Sequence, residues 1–536
     1  MLVSSLYAEP EMSLATRTIR ITLAIGLLLL ASAGSGRPAL ATSLRFEAQP
    51  FETQAHGSIA AEVAYLEVPL RHELTASATT RLRVVRLPAT GGALKAAPVV
   101  YLAGGPGGSG VGTARGPRWT VFDRVRREAD VLLLDQRGTG LSEPPPACPH
   151  HHDFDASQPL QPEAAINALR DSARRCIQHW REAGIDLEAY TTLQSAHDLE
   201  ALRQALGVPR LSLWGMSYGT HLALAYLRSY EARVERIVLI GTEGPDQQLK
   251  LPLSADALLA DLAEIAEAQG HADLVGATRR VLTALREQPA SGHSLLRGQT
   301  VQIGEFDAQL AVAAALGRRS TQRLLPLALR QAEAGDYDLL VELVLAVREH
   351  LAEFQAMPLV MDVASGQSPA RRQRVEAEAG QSMFGNALNF PFPAFADGLG
   401  LPDLGESFRG PLVSSVPSLF ISGTLDGRTP PANVDELTPG FSRATELLVQ
   451  NASHDDELWL GHPAIAEAIA DFLGGRDVQP QRIPVDAPQF ATSTVGLLIE
   501  AIGAGRLFGA LALLLGVLVT PVVVWRRRRA RRQRGA

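Results

Sequence analysis

A serine set between two glycines, Gly215-Met216-Ser217-Tyr218-Gly219, stands where the apolar run Leu211-Ser212-Leu213-Trp214 gives way to a helical pattern over residues 218–229. A strand that turns directly into a helix has room for no side chain at the flanking positions, so glycine there is a steric requirement, and the serine at the apex is left exposed at the end of a sheet. In a chain with 47 glycines an isolated match of this kind means little. The strand before it and the helix after it supply the context that gives it meaning. A sequence with this turn at its centre is expected to build a parallel sheet with helices packed on its faces.

The surrounding pattern agrees. Apolar runs at 61–68, 80–87, 97–102 and 130–134 read as strands, and those at 97–102 and 130–134 are continuous enough to be buried on both faces. Helical spacing follows at 162–183 and 193–206, then a strand at 210–214, the helix at 218–229 and a strand at 234–240. From about 245 to 408 the chain changes to long alanine-rich helical stretches without a convincing strand, such as 255–269 and 337–354, before strands resume at 417–422 and 445–450 and a helix closes at 463–473. The expected fold class is therefore α/β, a mostly parallel central sheet with a helical cap inserted before the last core strands.

A serine in such a turn is inert without a base and an acid, which in this topology follow it in the order serine, acid, histidine. Asp426 lies after the run Ser418-Leu419-Phe420-Ile421-Ser422, and His454 lies after Glu446-Leu447-Leu448-Val449. Both fall at expected C-terminal strand ends, where an open parallel sheet meets its ligands. His462 and Asp435 are the rivals nearby. The run Ala103-Gly104-Gly105-Pro106-Gly107-Gly108-Ser109-Gly110 follows another strand and offers backbone N–H groups for an oxyanion, with the amide of Tyr218 as the second donor. It lacks the lysine-serine or lysine-threonine ending and the dinucleotide spacing of a phosphate loop.

Gly104-Gly105-Pro106-Gly107, Asp135-Gln136-Arg137-Gly138-Thr139-Gly140-Leu141-Ser142, the serine turn, the Asp426 loop and His454 together resemble the proline iminopeptidase and tripeptidyl aminopeptidase family of α/β-hydrolases, serine peptidase family S33, over roughly residues 60 to 475. The resemblance implies a serine hydrolase with Ser217, Asp426 and His454 as catalytic residues and Gly105 and Tyr218 as the oxyanion hole. It also implies that Asp135 and Arg137 brace a loop, that the helical insertion caps the site, and that peptides are cut from a free N-terminus. Relatives often carry histidine where Ala103 stands. Glu243, in Gly241-Thr242-Glu243-Gly244-Pro245, is the candidate to bind a substrate α-ammonium. An esterase or lipase, or an inactive surface-binding protein, remains the alternative, since a triad does not distinguish ester from amide.

The expected organisation is a signal peptide over 1–41, a first core segment over 42–245, the cap over 246–410, a second core segment over 411–476, a linker over 477–506, a transmembrane helix over 507–525 and a basic cytoplasmic tail over 526–536. Arg17 and Arg20, the apolar run after them and the small-residue site Ala39-Leu40-Ala41 read as the leader. The apolar stretch 507–525 with arginines directly behind it reads as a membrane anchor, or as a sorting signal removed after export. The formal charge is −7, and seven of the positive charges are arginines between 526 and 534. That distribution excludes a basic nucleic-acid-binding face. Cys148 and Cys176, both in the exported portion, are expected to pair. His150-His151-His152 reads as a solvated loop, so neither metal nor cofactor is expected.

Overall fold

In a computed structural model, residues 44–91, 96–271 and 273–494 are described. The expected leader, the stretch 507–525 and the basic tail lie outside them. The apolar runs become ten strands of one sheet: β1 (Glu47–Ala48), β2 (Glu62–Pro69), β3 (Thr79–Leu87), β4 (Val99–Leu102), β5 (Val131–Leu134), β6 (Leu211–Met216), β7 (Val234–Ile240), β8 (Ser418–Gly423), β9 (Ala444–Gln450) and β10 (Gln481–Pro484). Their order across the sheet is β1-β2-β3-β5-β4-β6-β7-β8-β9-β10. β1, β2 and β3 run antiparallel to their neighbours, while every pairing from β5 through β4 to β10 is parallel.

Strand alternation explains why β4, β5 and β6 are unbroken apolar runs. Val100, Leu102, Leu132, Leu134, Leu211 and Leu213 face one apolar cluster, whereas Val99, Tyr101, Val131, Leu133, Trp214 and Met216 face a second on the opposite side. Helices Pro162–Glu182, Thr192–Ala205 and Tyr218–Tyr230 cover the first face, and Trp119–Val125 and Pro463–Leu473 cover the second. Cys148 and Cys176 are joined, tying the loop after β5 to helix Pro162–Glu182 with their Cα atoms 5.4 Å apart.

Between β7 and β8 the chain leaves the sheet and forms a layer with its own apolar cluster, built from helices that include Leu253–Ala268, Leu274–Glu287, Glu305–Ala315, Leu325–Glu333 and Asp338–Ala352. A buried ion pair fixes part of it, with the Arg348 guanidinium 2.7 Å from Asp307. Two features differ from the sequence expectation. An antiparallel hairpin, Ala290–Ser294 with Gln299–Ile303, interrupts the helices; its first strand, Ala-Ser-Gly-His-Ser, lacks the β-branched and aromatic residues that mark strands. The proline-rich stretch after 476, expected as a linker, contributes β10, paired in parallel with β9. Proline is tolerated there because β10 is an edge strand. Farther on, Phe490 is buried in the cap cluster, and the Ala491 N–H donates to the Arg323 carbonyl at 2.9 Å.

Candidate active site

Ser217 follows the last residue of β6 and precedes helix Tyr218–Tyr230, with φ 54° and ψ −126°. A non-glycine residue in the left-handed region is strained, and its surroundings hold it there. Its N–H donates to the Ile240 carbonyl at 2.9 Å, and its carbonyl accepts from the Thr220 hydroxyl at 2.6 Å. The flanking glycines are sterically required. A Cβ at Gly215 would stand 2.5 Å from the Gly219 carbonyl oxygen, and one at Gly219 would stand 2.0 Å from that of Leu102.

β8 and β9 deliver the other two residues. His454 Nε2 lies 2.9 Å from Ser217 Oγ, and His454 Nδ1 lies 2.8 Å from Asp426 Oδ2. The Asp426 side chain has no exposed surface, yet its carboxylate is well supplied with donors. Oδ1 accepts the N–H groups of Arg428 and Thr429, both at 2.7 Å, and Oδ2 accepts the Thr429 hydroxyl at 2.8 Å. These bonds aim the carboxylate at the ring, the arrangement that selects the tautomer with Nδ1–H toward the acid and a bare Nε2 toward the serine. The rivals take no part: His462 caps helix Pro463–Leu473, and Asp435 lies in the first turn of helix Ala432–Leu437.

The glycine loop after β4 abuts the serine. A Cβ at Gly104 would come within 2.9 Å of Ser217 Cβ, and Gly105 takes a φ of +124°. The Gly108 N–H closes the loop onto the Gly104 carbonyl at 3.0 Å. Tyr218 is the first residue of its helix, so its N–H has no partner within the helix and stands beside the serine as a donor. Its phenol is buried against Thr192 and Met361, and burial pushes its pKa up.

The loop is braced from behind. Gln136 Nε2 donates to the Ala103 carbonyl at 3.0 Å, an anchor that does not depend on the side chain at 103. Asp135 Oδ1 accepts the Ser109 hydroxyl at 2.6 Å and the Val111 N–H at 3.1 Å, and its Oδ2 accepts the Leu141 N–H at 3.0 Å. Arg137 is buried, paired through Nε and Nη2 with Asp198 at 2.7 and 2.5 Å, and donates to the carbonyls of Leu70 and Ala189. Neither Asp135 nor Arg137 is placed to react.

A cavity of about 480 Å³ opens from Gly105 and Pro106 into the cap. Its walls are largely apolar, with Leu343, Leu359, Phe354, Phe390, Phe392 and Phe395 among them, and they carry few charged groups, including Asp362 and Arg428. Burial above all, with the charge of Glu243 adding, raises the Asp362 carboxyl to about 7 against the opposing hydrogen bond from Gln248. Glu243 is itself engaged, its Oε2 accepting from Lys250 Nζ at 2.7 Å. Asp362 escaped the sequence analysis; the available signal was one acid in the otherwise apolar helix Ala356–Ser365. Lys250 escaped because nothing local pairs it with Glu243. His151, from the histidine run, is exposed and faces Asp153 at 3.4 Å.

Residues 97–459 match the alpha/beta hydrolase fold family. The chain belongs to that family. Among alpha/beta hydrolases and peptidases, the serine protease Hip1 of Mycobacterium tuberculosis is 31% identical over 193 residues, 34% of this chain and 36% of its own length. The tripeptidyl aminopeptidase of Streptomyces lividans is 28% identical over 197 residues, 35% of this chain and 36% of its own length. The proline iminopeptidase of Xylella fastidiosa is 30% identical over 220 residues, 38% of this chain and 54% of its own length. The matched segments thus span from about a third to about half of these relatives.

Proposed function

We propose that the chain is an exported serine hydrolase that releases residues or short peptides from free N-termini through an acyl-enzyme. The observation that carries this reading is the hydrogen-bonded series Ser217, His454, Asp426 against the glycine loop, whose Gly105 and Pro106 line an apolar cavity with an acidic group on its wall. In the proposed reaction, His454 Nε2 takes the Ser217 proton as Oγ attacks the scissile carbonyl, and Asp426 stabilises the imidazolium. The N–H groups of Gly105 and Tyr218 receive the oxyanion. The tetrahedral species collapses as His454 returns the proton to the leaving amine. Water, deprotonated by the same imidazole, then releases the acyl group and restores the serine.

The substrate's α-ammonium is assigned to Asp362, with Glu243 adding negative potential behind it although Lys250 holds its carboxylate. The phenylalanines of the cavity suit apolar side chains near the cleaved bond. Export is supported by the leader pattern ending at Ala39-Leu40-Ala41 and by the disulfide, which belongs to oxidising compartments. Anchoring rests on the apolar stretch 507–525 and the arginines after it. Among the described residues no helix is long and apolar enough to cross a membrane.

The apolar lining also favours an esterase with acyl-chain specificity. Hydrolysis of matched aminoacyl and tripeptidyl amides, with and without N-acetylation, beside short-chain nitrophenyl esters separates the two. Turnover confined to unblocked amides is the expected result. Indifference to blocking, with esters turned over fastest, would replace the peptidase reading with the esterase one.

A further inference from the structure

One turn of the cap grips the two loops that carry His454 and Asp426. After helix Glu305–Ala315 the chain passes through Leu316, Gly317 and Arg318 into the short helix Arg319–Gln322. The Gly317 carbonyl accepts the His454 N–H at 3.3 Å, and the Arg319 N–H donates to Ser453 Oγ at 2.9 Å. The Arg319 guanidinium reaches farther along the same loop. It donates through Nη2 to the Asn451 carbonyl at 2.6 Å and lies 3.2 Å from Glu457 Oε1, while Glu457 Oε2 accepts the Ser453 hydroxyl at 2.7 Å. On the acid loop, Gln322 Nε2 donates to the Leu425 carbonyl at 2.8 Å and to the Leu316 carbonyl of its own turn at 2.7 Å. The approach leaves no slack: a Cβ at Gly427, next to Asp426, would lie 2.6 Å from the Leu316 carbonyl oxygen.

Within the core the two loops are tied chiefly to each other. The Leu425 N–H donates to the Ala452 carbonyl and the Asn451 N–H to Thr424 Oγ1, both at 2.9 Å. The His454 N–H and the carbonyls of Asn451 and Leu425 instead find partners in the cap. Asn451 has a φ of 64°, a conformation that a non-glycine residue keeps only where its surroundings hold it, and Arg319 takes its carbonyl. Gln322 is fully buried, so its bonds to the acid loop meet little competition from water. Proton transfer between Ser217 Oγ and His454 Nε2, now 2.9 Å apart, tolerates little displacement of either loop.

We infer that Arg319 and Gln322 are positioning residues for the reaction: the cap turn 316–322 sets where the His454 and Asp426 loops stand, and the catalytic series reaches its full rate only with this turn seated. This rests on the reading of Ser217, His454 and Asp426 as that series, and not on whether amides or esters are the substrates.

The test uses the full chain with Arg319→Met, Arg319→Lys and Gln322→Met, assayed on an unblocked tripeptidyl nitroanilide and a short-chain nitrophenyl ester. Each kcat is expressed per serine labelled by a fluorophosphonate taken to completion, which removes unfolded molecules from the comparison. In Arg319→Met and Gln322→Met it should fall roughly ten- to a hundredfold with KM moving less than about twofold, because the lost contacts touch the loops and not the substrate. Arg319→Lys keeps a donor for the Asn451 carbonyl and a charge for Glu457, and should recover most of the rate. A purely structural role would lower the melting temperature and leave kcat per labelled serine at the wild-type value. That result in Arg319→Met overturns the assignment of Arg319, and in Gln322→Met that of Gln322; an effect carried entirely by KM overturns both. A wild type neither labelled nor active on either substrate removes the catalytic series and this inference with it, whereas a labelled, active wild type beside variants of undiminished kcat removes this inference alone. Arg319, with 21% of its side chain exposed, is the position that folding limits less, so a Gln322→Met chain that does not fold leaves the decision to the Arg319 pair.

Discussion

Gly241, at the end of β7 with φ +58°, stands directly behind the His454 ring: a Cβ there would lie 3.1 Å from Cε1 and 3.2 Å from Nδ1. The same atom would come within 2.9 Å of Thr429 Oγ1, which holds Asp426. Gly241→Ala would therefore strain the backbone, by about 1–2 kcal/mol, and push the imidazole away from Ser217. We expect kcat to fall on the order of a hundredfold, since small displacements of a catalytic group are costly, with a modest loss of thermal stability. Steady-state kinetics beside a melting curve would check this. An alanine variant with full kcat would mean that the ring is not fixed from this side.

Ser217→Ala should lower kcat by on the order of 10⁵ to 10⁶ by analogy with other triads, and should abolish covalent labelling by a fluorophosphonate. The folded state should keep its stability, because alanine retains the Cβ that makes the wild-type φ of 54° strained. Activity or labelling surviving the substitution would assign the nucleophile elsewhere.

Much of this site was legible in the chain because its parts sit at ends of elements whose patterns are strong. β4, β5 and β6 are buried on both faces, so their apolar runs were unmistakable, and the residues after β6, β8 and β9 could be placed at the sheet's C-terminal edge. Asp362 and Lys250 were not legible, because their roles arise from contacts that local pattern does not show: Gln248 Nε2 donates to Asp362 Oδ1 at 2.8 Å across 114 residues of sequence, and Lys250 reaches back to Glu243. The edge strand β10 was hidden by its prolines, and the hairpin in the cap by its small polar residues. In both cases pairing with a neighbour, rather than local propensity, decides the conformation.

Asp362 gives a pH signature. Its carboxyl titrates at about 7 against an ordinary 3.8, so it is protonated at acid pH and ionised at alkaline pH. If it binds the α-ammonium, the ratio of kcat/KM for unblocked over N-acetylated substrate should rise with pH through about 7, then fall as the substrate amine loses its proton near about 8. Asp362→Asn should flatten the rising limb and bring the ratio down about tenfold or more. The stability sign is the opposite. A carboxyl raised in the folded state favours folding most fully below its unfolded value, and that contribution is lost as pH rises from 3.8 to about 7. The asparagine variant should therefore gain on the wild type in denaturant melts across that window. An unchanged ratio profile in the variant would move the ammonium site away from this residue.

The pair Arg137–Asp198 supports the loop that carries the site, and its removal separates stability from chemistry. Burial alone would raise the Asp198 carboxyl, but the charge and hydrogen bonds of Arg137, with His72 adding, outweigh it and hold the group below its usual value. Both side chains are almost fully buried, so Arg137→Leu leaves a carboxylate without its main partner and the carbonyls of Leu70, Ala189 and Pro69 without their donor. A loss of about 3–5 kcal/mol is expected, read as a lower denaturation midpoint. The wild-type contribution is present above the ordinary carboxylate pKa and is lost as pH falls through the depressed one. The difference between wild type and variant should accordingly narrow in acid. Because Arg137 follows Asp135 and Gln136, which bond Ser109 and Ala103 of the glycine loop, the surviving folded variant should also lose kcat while still being labelled at Ser217. A variant as stable as the wild type across this range would show that the pair is not what holds the loop.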